Sequence, residues 1–275
     1  MTDSNTAFES IDAELVYAVD TGEKLINQTM PAGDMSRVVT GTYEMHPRTI
    51  RNGRPIRDQF ALDRNGFVFA DHPTAVTDFL DPDQVASTYY DEACKLVAET
   101  SGASRVEVFD HTIRSGDDAA RKEKLLREPV HSAHNDYTEN SGPRRVREIF
   151  PDEADDLLSR RFAIIQVWRA INRPIESDPL ALCDARTFRP ADLLTAERRY
   201  PDRVGETYRL AFSPDQEWYY FPRMTRDEAL VFKVYDSDTS LDARFTPHTS
   251  FADPTSPNDG PPRESIEIRT FAFFD

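Results

Sequence analysis

His134, Asn135 and Asp136 put an imidazole and a carboxylate two positions apart, so on extended backbone both side chains leave the same face. With one more imidazole they would form a 2-His-1-carboxylate set, which holds Fe(II) on one side and leaves the other coordination positions open. His248, 112 residues beyond Asp136, is the candidate for that ligand. It lies in the strand-like run Phe245-Thr246-Pro247-His248-Thr249-Ser250-Phe251. The short motif is weak alone, since six histidines and 49 acidic residues supply about one His-x-Asp/Glu match by chance, and the chain has one. The competing reading is a polar pair on a strand surface and a separate, hydrogen-bonded structural histidine.

Three arginines are candidates for binding an anionic co-substrate. Arg263 and Ser265 follow His248 by 15 and 17 residues and share a face, so a guanidinium and a hydroxyl can hold one carboxylate together. Arg269 points to the same face, but Glu267 between them offers it a neutralising partner, which ranks it second. Arg169 is the third, with an internal ion pair as its alternative. Other histidines read differently. His131 is three residues from His134 and faces away, His111 shares a face with Phe109 as a satisfied core or cavity residue, and His46 and His72 precede prolines in loops. Cys183 reads as packing, with no basic neighbour to lower its pKa.

The elements that must position these residues are mostly strands. Ala13 to Val19 and Thr42 to Ile50 read as strands, and Phe60–Leu62 with Gly66–Phe69 as a hairpin about Asp63-Arg64-Asn65. Asp81-Pro82 opens a helix with apolar positions at Val85, Tyr89, Leu96 and Val97, stopped by Gly102. The charged stretch Ser115 to Glu128 reads as a mobile crossover or lid before His134, and Asn140 to Arg161 as a helical segment interrupted at Pro151. Strand-like runs then follow at 162–169, 182–188, 207–212, 218–221, 230–235, 244–249 and 265–274, with a helical piece over Pro190–Arg199. Many short strands after one helix predict a mainly β fold with flanking helices, a double-stranded β-helix or jelly roll of the cupin kind. The expected organisation is one domain over 1–275, with strands and a helix in 1–104 flanking a core in 105–275.

Composition narrows the class. A net charge of −16 repels phosphate backbones and anionic lipid, so nucleic-acid and membrane partners are not expected. No apolar run approaches the roughly 18 residues of a membrane helix. The start Met1-Thr2-Asp3-Ser4-Asn5 lacks a secretory layout. Two cysteines, Cys94 and Cys183, make neither a disulfide framework nor a cysteine zinc site, so a reducing cytoplasm is the simplest location. Oligomeric state is not legible.

Several blocks together carry a family likeness: Val130-His131-Ser132-Ala133-His134-Asn135-Asp136-Tyr137, Ile165-Gln166-Val167-Trp168-Arg169, Ser177 to Ala185, Glu217-Trp218-Tyr219-Tyr220, Thr246-Pro247-His248-Thr249 and Pro261 to Glu267. In this order, from about Arg105 onward, the chain resembles the CmcJ/AsaB-like family, bacterial and fungal oxygenases related to cephamycin hydroxylase components and fungal gibberellin desaturase. The resemblance implies a jelly roll using Fe(II), 2-oxoglutarate and O2 to hydroxylate or desaturate a small, secondary-metabolite-like molecule, with succinate and CO2 as co-products. It also implies that His134, Asp136 and His248 ligate iron and that Arg263, beside Ser265, anchors 2-oxoglutarate. On the residues alone two other readings stand: a metal-dependent jelly roll doing isomerisation or hydrolysis, and a non-catalytic binding protein.

Overall fold

Alternating and continuously apolar runs resolve into strands throughout the computed structural model, which describes residues 9–29, 37–124, 126–201 and 203–275. In chain order the strands are β1 (Ser10–Val19), β2 (Leu25–Thr29), β3 (Arg37–Val39), β4 (Thr42–Asn52), β5 (Phe67–Asp71), β6 (Arg105–Ser115), β7 (His134–Asn135) and β8 (Phe162–Ala170). They continue with β9 (Leu180–Cys183), β10 (Leu193–Arg199), β11 (Val204–Leu210), β12 (Trp218–Tyr220), β13 (Glu228–Asp236), β14 (His248–Ser250) and β15 (Glu264–Phe273). One sheet runs β1-β4-β12-β9-β14-β7-β11-β10-β2-β3, the other β5-β13-β8-β15-β6. The two face each other as the mainly β jelly roll that the strand pattern predicts.

Two layers of apolar side chains hold this arrangement. Between the sheets, Ile164, Trp168, Phe232 and Phe271 meet Leu180, Leu182 and Tyr219. On the outer face of the five-stranded sheet, Ile165, Val167, Val231 and Ile268 pack under the helical segment, through Val85, Tyr89, Leu96 and Val97. Sandwiched between these layers, β8 is buried at every position, which is why its sequence reads as a continuous apolar run rather than an alternating one. Each such aliphatic side chain removed from water stabilises the fold by about 1.5–3 kcal/mol. The segment begins at Asp81, whose carboxylate accepts the Asp83 N–H, passes through a π-helical stretch at Val85–Tyr89, and ends at Gly102 with φ of 74°. The 1–104 region is thus built into both sheets: β1 and β4 extend the larger one, and β5 edges the smaller beside β13.

Three local expectations change. Phe60–Leu62 does not pair with β5. Asn65 closes a turn there, its side-chain carbonyl accepting the Ala61 N–H and its own N–H donating to the Ala61 carbonyl, and β5 pairs with β13 instead. Pro190–Arg199 is helical only as a single turn, Pro190–Asp192. The rest is strand β10, paired residue for residue with β11, so tertiary pairing overrides local helix propensity. Within 182–188 only the first two residues belong to a strand, β9. Asp184 then takes the Arg186 N–H on its side chain and the Thr187 N–H on its carbonyl, which turns the chain. The 115–128 crossover carries a helix, Asp118–Lys124; Leu125 and the residues before Glu9 lie outside the described set.

Gly66 links this scaffold to His248. Its φ is +91°, and a Cβ there would come within 2.2 Å of the Thr246 hydroxyl oxygen, which donates to the Gly66 carbonyl. Gly66→Ala combines left-handed strain with a collision and should destabilise the protein by about 2 kcal/mol. Thermal melting checks this: the midpoint should fall by about 4–8 °C, and an unchanged midpoint would contradict the packing described.

Candidate active site

β7 lies between β14 and β11, and its first residue, His134, is the direct partner of both His248 and Arg209. The two histidines of the sequence reading are therefore neighbours across a strand pair, with ring centroids 4.4 Å apart. Asp136 follows one residue after β7, and its Oδ1 lies 3.5 Å from His134 Nε2. One ligand atom from each of His134, Asp136 and His248 falls within 4.8 Å of the others, so the three converge as the spacing requires. Asn135 ties the two segments together on the opposite face. Its amide donates to the Val234 and Tyr137 carbonyls, and its carbonyl accepts the Thr246 N–H.

Each donor atom is free because its companion is occupied. His134 Nδ1 is 2.8 Å from the Ser132 carbonyl and His248 Nδ1 is 3.0 Å from the Thr246 carbonyl. A carbonyl only accepts, so both Nδ1 atoms carry the proton and both Nε2 lone pairs are left for a metal. Burial and the nearby His134 ring push His248 down to about 4, which keeps it neutral and ligating near neutral pH. Asp136 Oδ2 accepts from Gln166 Nε2 at 2.6 Å and from Arg269 Nε and Nη2 at 3.2 and 3.1 Å, leaving Oδ1 for the centre. Burial pushes the Asp136 carboxyl up, but Arg269 and His134 more than offset it and hold it well below the usual carboxylate range. A donor set of two imidazoles turning Nε2 to the centre and one ionised carboxylate fits a non-haem Fe(II).

The last strand separates its two arginines. Arg269 has every part of its guanidinium engaged, with Asp136, Asp110, Thr112 and Glu267, and Glu267 is the neutralising partner that the spacing suggested. Glu267 also binds Arg114, which with Arg269 holds its carboxyl near 2 against the upward push of burial. Arg263 is 3% exposed and touches only a carbonyl and a hydroxyl, those of Asp178 and Ser250. Burial, with Arg114 nearby, pushes it down to about 10. Its Nε, the Ser265 hydroxyl and the Trp168 indole N–H are all buried without a protein partner, and the guanidinium sits 5.5 Å from the Trp168 ring centroid. Three orphaned donors around a buried cation could serve as a cradle for a carboxylate.

Arg169 does not share that face. It lies on the side of β8 opposite Gln166 and Trp168, donating to the His72 and Arg226 carbonyls and lying against Tyr89, so the structure does not bring it together with Arg263 and Ser265. The remaining histidines also lie apart from the triad: His131 near Asp178, His46 stacked on Phe212, and His72 at Arg169. His111 pairs with the Tyr90 hydroxyl on the outer face, while Phe109 lies tilted against Phe271 on the inside. The register slip between Arg269 and Thr270 opposite β6 is a bulge that breaks the alternation by which the two seemed to share a face. Sequence reasoning did not single out Gln166 or Arg209; an isolated glutamine in a buried strand run was the available signal for the first.

A jelly roll with this donor set and this cradle defines a 2-oxoglutarate-dependent non-haem iron dioxygenase, and comparison with known proteins agrees. The chain is 32% identical over 273 residues to the hydroxylase/desaturase efuI of Hormonema carpetanum, covering 88% of this chain and 91% of that one. It is 31% identical over 262 residues to the Fe(II)/2-oxoglutarate-dependent dioxygenase nvfI of Aspergillus novofumigatus, covering 92% of each. The solved iron and alpha-ketoglutarate-dependent endoperoxidase NvfI superposes with a TM-score of 0.85 at 28% identity, over 97% of this chain and 98% of that one. Residues 15–273 match the model of the oxidoreductase/YMDC permease-like domain, and the chain belongs to that family, alongside these hydroxylase/desaturase relatives. No described helix is long and apolar enough to cross a membrane.

Two outcomes follow from the site. Gln166→Leu removes one of the clamps on Asp136 and should weaken Fe(II) binding about 10–100-fold in a metal titration; unchanged affinity would show that Gln166 does not orient the carboxylate. In the metal-free protein, His248 binds a proton less readily folded than unfolded, so stability should fall as pH drops from 6.5 towards about 4. Denaturant melts across that window check the sign, and stability that rises on acidification would contradict it.

Proposed function

We propose that His134, Asp136 and His248 hold Fe(II) and that Arg263, with Ser265, anchors 2-oxoglutarate in an enzyme that hydroxylates or desaturates a small secondary metabolite. The observation that carries this is the pairing of two donor sets: three convergent ligand atoms and, beside them, a buried arginine whose Nε, with the Ser265 hydroxyl, finds no protein partner. Ser250, which touches Arg263, is two residues from His248 on β14. That places the cradle roughly 7 Å along the strand from the ligand, a span suited to a five-carbon diacid.

Bound iron with 2-oxoglutarate and O2 supplies oxidative chemistry that yields succinate, CO2 and either an alcohol, or an alkene and water. The chain's own residues do the rest. Arg263 and Ser265 fix the distal carboxylate of the co-substrate, Arg269 and Gln166 keep Asp136 ionised and aimed, and the carbonyls of Ser132 and Thr246 hold both imidazoles in the ligating tautomer. The aromatic core behind the triad, where Phe232 lies edge-on to His248, excludes water from that side. The surface charge of −16 argues against a nucleic-acid substrate, and the free thiols of Cys94 and Cys183 suit a reducing cytoplasm.

His134→Ala and Asp136→Ala should each abolish substrate-dependent succinate formation; full turnover in either would sink the assignment. Arg263→Ala should raise the apparent KM for 2-oxoglutarate by more than about tenfold, as expected for losing a charge-assisted pair. An unchanged KM would move the anchor elsewhere.

A further inference from the structure

The cavity that opens onto His134 and Asp136 has a volume of about 670 Å³ and is lined by ten cationic and six anionic side chains, in a chain whose net charge is −16. This local reversal of sign is concentrated in a few residues. Arg114, Arg121, Arg144, Arg145, Arg203 and Arg269 each have a carboxylate partner. Among the described residues, Arg127, Arg198, Arg209 and Lys122 line the cavity with none.

Arg209 and Arg198 belong to one built surface. Arg209 is the direct partner of His134 in the β7–β11 pair, so its side chain leaves the sheet on the ligand's face. It is 3% exposed. Its Nη1 donates to the Ser132 hydroxyl at 3.2 Å, and its Nε has no partner. Arg198 opposes Gly205 in the β10–β11 pair, where the missing side chain leaves room above the strand. Arg198 Nε is also buried and unsatisfied, and so is the hydroxyl of Thr207, which lies between Gly205 and Arg209 on the same face of β11. Burial pushes Arg209 below the ordinary arginine range and Arg198 adds to the push, while Tyr43, which shares a hydrogen bond with it, and the Asp136 carboxylate draw it part of the way back; Arg127 is lowered by burial, then by Arg114 and Arg198. Like charges and orphaned donors gathered in one partly enclosed place oppose folding unless an anion joins them.

We propose that Arg209, Arg198 and Thr207 form a subsite for a carboxylate on the oxidised substrate, so that this enzyme acts on an organic acid held by its anionic end. The proposal rests on the iron and 2-oxoglutarate reading for what happens to the substrate, but not for its binding. The two anion sites lie on opposite sides of the metal ligands. Arg263 meets the β14 side through Ser250, whereas Arg209 and Arg198 lie on the β11 side. The co-substrate and the substrate thus approach from different directions, and the acid's reacting C–H bond lies some bonds away from its anchored carboxylate.

Calorimetry on the Mn(II)-loaded protein with 2-oxoglutarate, which does not turn over, tests this with 4-phenylbutyrate and its neutral counterpart 4-phenylbutyramide as probes. The carboxylate should bind at least about tenfold more tightly than the amide, and added salt should weaken only the carboxylate. Arg209→Gln and Arg198→Gln should each remove most of that discrimination while leaving amide binding unchanged. Arg198→Gln, farther from the ligands, decides the matter if Arg209→Gln melts early. Equal binding of the two probes, wild-type discrimination in Arg198→Gln, or displacement of 4-phenylbutyrate by 2-oxoglutarate would overturn the subsite. Failure of 2-oxoglutarate to bind, with probe discrimination intact, would instead remove the co-substrate reading and leave the subsite standing.

Discussion

The Asp136 carboxylate has one oxygen to offer because the other is already held. Oδ2 takes hydrogen bonds from Gln166 on β8 and Arg269 on β15, so the carboxylate of a short loop is fixed by two central strands of the opposing sheet. Arg269 is in turn shared among Asp110, Asp136 and Glu267, and Glu267 with Arg114. A buried network of this kind is expensive to leave half satisfied. Here every charged member has a partner, so the network specifies one orientation of the carboxylate. The imidazoles obey the same logic at smaller scale, each with Nδ1 committed to a backbone carbonyl two residues earlier.

β7 is only two residues long, too short to be stable alone, yet it carries the first ligand. Its position comes from its neighbours: β14 brings His248 on one side and β11 brings Arg209 on the other, while Asn135 crosses to Thr246 and Val234. The site therefore inherits its rigidity from the sandwich, and the side facing the 115–128 crossover is left as the open cavity. Charge divides the interior into two regimes. Around Arg269 the charges are joined in direct ion pairs; Arg263, and separately Arg198 and Arg209, instead keep a buried Nε without a protein partner.

Much of this was legible because strands have a period of two. His134 and Asp136 on one face, Arg263 with Ser265, and Glu267 beside Arg269 are all same-face statements, and they hold in the structure. The rule failed where the backbone leaves that period. The bulge opposite Arg269–Thr270 put Phe109 and His111 on different faces, and Asn65 turned a supposed hairpin into a closed turn. Pro190–Arg199 carried helix-compatible residues, and only its pairing with β11, a tertiary fact, makes it a strand. That misreading hid Arg198, and Arg209 was equally silent, because a lone arginine in a strand gives no sign of whether its partner will be a carboxylate or nothing. Arg169 shows the converse: a conspicuous arginine in a family-like block whose side chain turns to the outer face, towards the His72 and Arg226 carbonyls.

Three side chains and one co-substrate sharing a single metal ion is the arrangement that the rest of the chain serves. Its most direct test is an anaerobic spectrophotometric titration, adding Fe(II) and then 2-oxoglutarate to the intact protein. Such sharing requires a visible charge-transfer band that saturates at equimolar iron and 2-oxoglutarate and is absent from Asp136→Ala. No band with the native protein, or the same band in the variant, would contradict it.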